Sequence, residues 1–166
     1  MDEIVEAFDG APVKVELKNG SEKFRTGAVQ HDFDLLSFWK WSTSDLVSNT
    51  ARGVLAEYIV AKALGITEEI RTEWRAFDLE TPEGIKIEVK SAAYIQVWKQ
   101  ARHSPIQYLV RKRLGWDAET GKLETVPRRH ADVYVFALLN HKIRQTIDPL
   151  DLAQWEFYVL PTQELD

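Results

Sequence analysis

The chain has 166 residues, with 21 Lys+Arg against 26 Asp+Glu, four His, six Trp and no Cys, for a formal net charge of −5. That length suits one domain with a real core, since a domain usually takes about 100–200 residues. The lack of cysteine excludes disulfide frameworks and thiolate metal sites, and the negative charge argues against indiscriminate coating of nucleic acid. The opening Met1–Asp9 carries four acids and no basic stretch, unlike a secretory or transit peptide. No apolar run approaches the roughly 18 residues of a membrane span. A cytoplasmic, membrane-free protein is therefore expected. It reads as one domain over 1–166, with 1–43 as an N-terminal strand and cover and 44–160 as the core.

Val13, Val15 and Leu17 alternate like a strand before an Asn19-Gly20 turn. His31–Thr43 is aromatic-rich and reads as an irregular or partly helical cover. Ser44–Leu64 is expected to be a helix, with Ser44 or Asp45 as cap and Gly65 as stop. Ile70–Leu79 and Ile85–Ser91 read as two strands around the turn residues Thr81–Gly84. Tyr94–Val110 fits either a strand pair or a short helix followed by a strand. Gly115–Pro127 reads as a loop or hairpin, and Asp132–Leu139 as a buried strand. A short strand near Ile143–Ile147, a helix Asp148–Gln154 with Asp148 as cap, and a last strand Glu156–Leu160 complete the chain. The order predicts an α/β or α+β fold with a mixed central sheet.

The most informative segment is Phe77–Ser91. With Pro82–Gly84 as turn residues, Leu79 faces Ile87 and Phe77 faces Val89 on one apolar side. On the other side Glu80 faces Lys86 and Asp78 faces Glu88. Two carboxylates held side by side repel each other unless a cation lies between them, and oxygen-only ligation favours Mg²⁺ or Mn²⁺. Lys90 adds a positive charge where a water or phosphate oxygen would sit. The competing reading is a charged, solvated hairpin face. A third acid, Glu57, falls on the apolar stripe of the long helix traced by Leu46, Val47, Val54, Tyr58, Ala61 and Leu64. A carboxylate there needs a metal or a partner cation; the alternative to metal is a buried salt bridge to an Arg or Lys.

Glu57 on a helix, then Asp78, then Glu88-Val89-Lys90, resembles the PD-(D/E)XK superfamily of restriction-endonuclease-like nucleases. Asn49–Tyr58 and Glu88–Ala92 are similar to bacterial and phage members of that superfamily. The resemblance spans about residues 45–140, and Phe77 stands where the family's namesake proline would be. It implies that Asp78 and Glu88 bind metal with the Val89 carbonyl, that Lys90 orients or deprotonates the attacking water, and that Glu57 supports the metal site. It also implies a polar contribution from Gln96. Nucleases of this kind commonly work as homodimers.

Trp98–His130 contains eight basic residues and three acids, net +5, which leaves −10 on the rest of the chain. Lys99, Arg102, Arg111, Lys112, Arg113, Arg128 and Arg129, interleaved with Trp98, Tyr108 and Trp116, suit phosphate-backbone contact and base stacking. The alternative is a solvated basic face balancing an acidic body. His103 and His130 flank this segment. The expected function is a Mg²⁺-dependent nuclease of bacterial or phage origin with DNA as its substrate. The rival from another class is a catalytically inactive nucleic-acid-binding or assembly module of the same fold. A two-carboxylate glycosidase fits poorly, because direct cross-strand neighbours lie too close for most such mechanisms.

Overall fold

The computed structural model describes residues 13–67, 70–73, 75–117 and 120–165, so Met1–Asp9 and Glu119 lie outside the described residues. Val13, Val15 and Leu17 do not form the expected strand. All three are exposed, and among the described residues no strand pairs with them. The turn that follows does form: Gly20 sits at φ +94°, and the Asn19 side chain accepts the Ser21 N–H at 2.9 Å. It leads into a hairpin of β1 (Lys23–Thr26) and β2 (Val29–Asp34), then α1 (Leu35–Thr43). Asp34 caps that helix by accepting the Ser37 N–H at 3.0 Å. The region is helical in part, as expected, but it covers no core: no residue of α1 is buried.

The long helix, α2 (Asn49–Leu64), starts later than expected. Asp45 takes the N–H groups of Val47 and Ser48 into a turn, which leaves Ser48 as the cap that accepts from Ala51. Gly65 ends the helix at φ +71°, returning its N–H to the Ala61 and Lys62 carbonyls. Because residues 44–48 are not helical, Leu46 and Val47 do not extend the expected stripe. The buried face is Arg52, Ala56, Glu57, Val60 and Ala61, while Val54, Tyr58 and Leu64 are exposed. Glu57 lies inward either way.

The central sheet is mixed, as expected. Its order is β3 (Leu79–Glu80), β4 (Lys86–Ala93), β7 (Val133–Leu139), β8 (Trp155–Pro161), with only the β4–β7 pair parallel. Between β4 and β7 lies a two-stranded hairpin, β5 (Trp116–Asp117) with β6 (Lys122–Leu123), where a loop or hairpin was predicted. Three expectations fail. Residues 70–78 that are described carry no strand; Tyr94–Val110 is a bent loop, closed by the Ser104 N–H on the Tyr94 carbonyl, followed by a run with no ladder or helix; Ile143–Ile147 contains a 3-10 turn, Arg144–Thr146. Asp148–Gln154 also shrinks to a 3-10 turn, Leu152–Gln154, capped by Asp151, whose Oδ1 accepts the Ala153 N–H at 3.0 Å. Asp148 instead accepts the Leu150 N–H in a tight turn.

Strand alternation sorts the core into two layers. Ile87, Val89 and Ala93 of β4, with Val135, Ala137 and Leu139 of β7 and Trp155, pack against Ala56 and Val60 of α2. On the opposite face Tyr134 and Phe136 pack with Ala131, Phe77, Tyr108, Val110 and Leu165. The long connection from β4 to β7 therefore covers the face that α2 does not. Among the described residues no helix is long and apolar enough to cross a membrane.

Candidate active site

The β3–β4 ladder has the expected register over Leu79↔Ile87 and Glu80↔Lys86, but it stops there. Asp78 does not stand opposite Glu88, nor Phe77 opposite Val89. The Asp78 N–H bonds the Ile87 carbonyl at 3.0 Å, a partner that register would give to Leu79, so two residues face one. The consequence is visible in packing: Leu79 joins the layer under α2, whereas Phe77 joins the layer on the other face. Freed from the ladder, Asp78 turns its carboxylate onto the edge of β4, where Oδ2 accepts the Val89 N–H at 2.7 Å. A side chain thus takes the place of a strand.

Asp78 and Glu88 remain electrostatic neighbours across this edge. Burial, then the Glu88 charge, pushes the Asp78 carboxyl up to about 6 from 3.8, against the pull of the Val89 N–H. Glu57 adds to the same upward push, and Lys90 opposes it. Glu88 and Lys90 share one face of β4 and form an ion pair. Tyr134, opposite Glu88 in the parallel ladder, has its phenol pushed up by burial and by that carboxylate. Glu57 is 9% exposed, and both its oxygens are held by Arg71, at 2.5 Å from Nε and 3.2 Å from Nη2. The buried salt bridge weighed as an alternative is therefore present, and Arg71 senses the Asp78 charge as well.

The carboxylates open on two sides. Glu57, Arg71 and Asp78 line a mostly apolar cavity of about 360 Å³ with Tyr58, Ile70 and Leu79. Glu88 and Lys90 line a narrow cleft with Arg111, Arg113, Arg128, Arg129, His130 and Tyr134. The donor set bears on a metal. Among the described residues no three His, Asp or Glu side chains converge into a cage. Two neighbouring carboxylates nevertheless suit Mg²⁺, which keeps most of its waters and takes one or two protein carboxylates. Asp78 and Glu88 fit that pattern; Glu57, clasped by Arg71, fits the supporting shell.

Of the predicted phosphate contacts, four arginines come to the Glu88–Lys90 cleft. The backbones of Arg113 and Arg128 are paired by reciprocal hydrogen bonds at 2.9 and 3.0 Å. Arg128 is forked to Glu124, and Arg129 donates to the Val110 and Leu165 carbonyls at 3.0 and 2.8 Å. Lys112 and Lys99 are exposed and line no cavity described here, and Arg102 lies in a separate hollow near Tyr94. Gln96 is 7% exposed, donates to the Ala93 carbonyl at 2.9 Å and accepts from Arg52 at 3.5 Å. It ties the start of α2 to the end of β4. Sequence reasoning missed Arg71 and Tyr134. Tyr134 was in principle legible as an even-numbered partner of Glu88 across two parallel strands; Arg71, on an irregular segment, carried no signal.

Residues 13–165 match the family model of bacteriophage T4 endonuclease IV. Comparison with curated proteins and with solved structures gives no match.

Proposed function

We propose that this chain, which belongs to the bacteriophage T4 endonuclease IV family, hydrolyses internal phosphodiester bonds of DNA at the Asp78–Glu88–Lys90 site by a PD-(D/E)XK-type reaction. The observation that carries the reading is the pair of acids flanking Val89 on β4, one beside Lys90 in a cleft of arginines. Asp78, Glu88 and the Val89 carbonyl are the groups that would hold Mg²⁺ or Mn²⁺. When bound, such an ion polarises the scissile phosphate and lowers the pKa of a coordinated water. Lys90 supplies a positive charge to the non-bridging oxygens as negative charge builds on them, and it orients the attacking water. The water oxygen forms the new P–O bond, the bond to the leaving sugar oxygen breaks, and a proton passes to that oxygen. Arg111 and Arg113 hold the strand by its backbone. Glu57, through Arg71, fixes the position of the Asp78 edge, and Gln96 keeps α2 in place against β4.

Incubation of a circular DNA with the protein and Mg²⁺ should give linear or nicked product. Asp78→Ala and Lys90→Ala should each lower that rate by about 10² or more with the circular-dichroism spectrum unchanged. Cleavage undiminished in either folded variant overturns the assignment. The rival, a binding module without catalysis, predicts that calorimetric titration of Mg²⁺ gives the same isotherm for wild type and Glu88→Ala.

A further inference from the structure

A second basic hollow lies beyond the end of β4, away from the acids. Two adjoining cavities of about 420 and 460 Å³ share Arg102, His103 and Lys142; the first adds Arg144 and Gln100, the second Tyr94, Ser104 and Pro105. No acid lines either one. Arg144 is aimed by neutral groups only, donating to the Gln96 carbonyl at 3.0 Å and to Gln100 Oε1 at 2.8 Å. Lys142 stands over the Tyr94 ring, 4.4 Å from its centroid, and His103 bonds the Lys142 carbonyl at 3.1 Å. Glu156 on β8, opposite Leu138, has its oxygens taken by Asn140 and Tyr158. Three permanent cations lining one hollow with no carboxylate among the described residues give it a positive potential that favours an anion.

Its place in the fold fixes which anion. Ser104 donates to the Tyr94 carbonyl at 2.9 Å, and four residues later Tyr108 packs on Phe136, 4.9 Å between centroids, beside Lys90 in the ladder. Tyr94 to Lys90 is likewise four residues. Both chains thus measure about 13 Å from the hollow to the scissile centre. That is about four nucleotides of a strand in duplex geometry, and fewer when it is stretched. The outward residues between, Pro105, Gln107 and Leu109, are exposed and uncharged, and Arg111 and Arg113 take up the basic surface at the far end.

We propose that the Arg102–His103–Lys142–Arg144 hollow binds an internal backbone phosphate of the same DNA strand whose scissile phosphate lies at Lys90. The hollow and the arginine cleft are the two ends of one track, and the neutral strip underlies the nucleotides between them. The proposal rests on the nuclease reading, but its test does not. Affinity is measured by fluorescence anisotropy without divalent cation, on a trinucleotide and on a single strand of about 12 nucleotides. The double variant Arg102→Gln/Lys142→Gln should weaken the longer strand about tenfold and reduce its salt slope by about 0.7–0.9 per cation removed. Trinucleotide affinity should change less than about twofold, since it cannot reach both ends. Should the double variant melt early, Lys142→Gln alone, an exposed side chain with only a ring contact, gives half the slope change. Unchanged affinity for the longer strand overturns the proposal, as does an equal loss on the trinucleotide. Dependence on a 5′-terminal phosphate, or displacement by millimolar inorganic phosphate at constant ionic strength, overturns it in favour of a free-anion site. A wild type that binds in this way yet cuts nothing with Mg²⁺ would sink the nuclease reading alone.

Discussion

Asp78 is held where its charge costs stability. Its carboxyl is lifted to about 6 by burial and by Glu88, whereas an unfolded chain would leave it near 3.8. Between those two values the folded protein holds a proton that the unfolded chain releases, so stability falls as pH rises through that window and stays reduced above it. Asp78→Asn keeps an acceptor for the Val89 N–H and removes the charge. Without added metal it should raise stability at neutral pH by about 1–3 kcal/mol while abolishing cleavage, as thermal melts and a nicking assay on one preparation would show. A melting temperature that drops, or a wild-type profile flat from about pH 4 to 6, would contradict this. Gly115 is a residue of close approach: a Cβ there would lie 2.6 Å from the His130 ring and 2.9 Å from the Glu124 carboxyl. Gly115→Ala should therefore displace the groups that brace Arg128, and weaken DNA binding in a filter assay without altering the acids.

At the scale of elements, α2 is held against the sheet by small side chains. Ala56 and Ala137 are both fully buried in the layer between them, and this close packing brings Glu57 to the sheet edge that Asp78 occupies. Ala56→Leu should cost about 1–3 kcal/mol in chemical denaturation. It should lower cleavage beyond that, because Glu57 and Arg71 move outward with the helix. Leu139→Ala, at a fully buried site on β7 far along the strand from Glu88, should cost about 2–5 kcal/mol and leave the rate per folded molecule as it was. The contrast between these two variants separates packing that supports the fold from packing that sets the site. Arg52 serves the same helix differently. Only 3% exposed, it reaches the Val47 carbonyl, Asn49 and Gln96, fastening the start of α2 to the chain after β4.

Over the whole molecule, the charge of −5 describes neither of its faces. Glu57, Asp78 and Glu88 gather at the β4 edge, and arginines line the cleft beside it, so on the proposed reading a strand is attracted at the flanks and meets carboxylates at the centre. A cation bound between Asp78 and Glu88 would change the sign of that centre. DNA affinity should accordingly rise on adding Mg²⁺ to wild type and not to Glu88→Gln, read by anisotropy at constant ionic strength. Equal affinity with and without the ion would remove the metal from the binding step. Arg111→Gln and Arg113→Gln should each reduce the salt slope by about one.

The sequence by itself determined the buried strand Val133–Leu139, the stop at Gly65, the Leu79↔Ile87 register and the inward place of Glu57. These follow from local periodicity and turn chemistry, which act over a few residues. It also placed Glu88 and Lys90 on one face of β4, because alternation along one strand needs no knowledge of the fold, whereas the Asp78↔Glu88 pairing it predicted did not form. Tertiary structure alone decided that Arg71 clasps Glu57, that Asp78 leaves the ladder to take the Val89 N–H, and that Tyr108 and Val110 pack on the face opposite α2. Each of these depends on which groups, distant in sequence, the formed sheet brings side by side. The first residues of the helix expected over 44–64, and the helix expected over 148–154, failed for a local reason instead: the Asp45, Asp148 and Asp151 side chains accept nearby N–H groups in turns that compete with a helix.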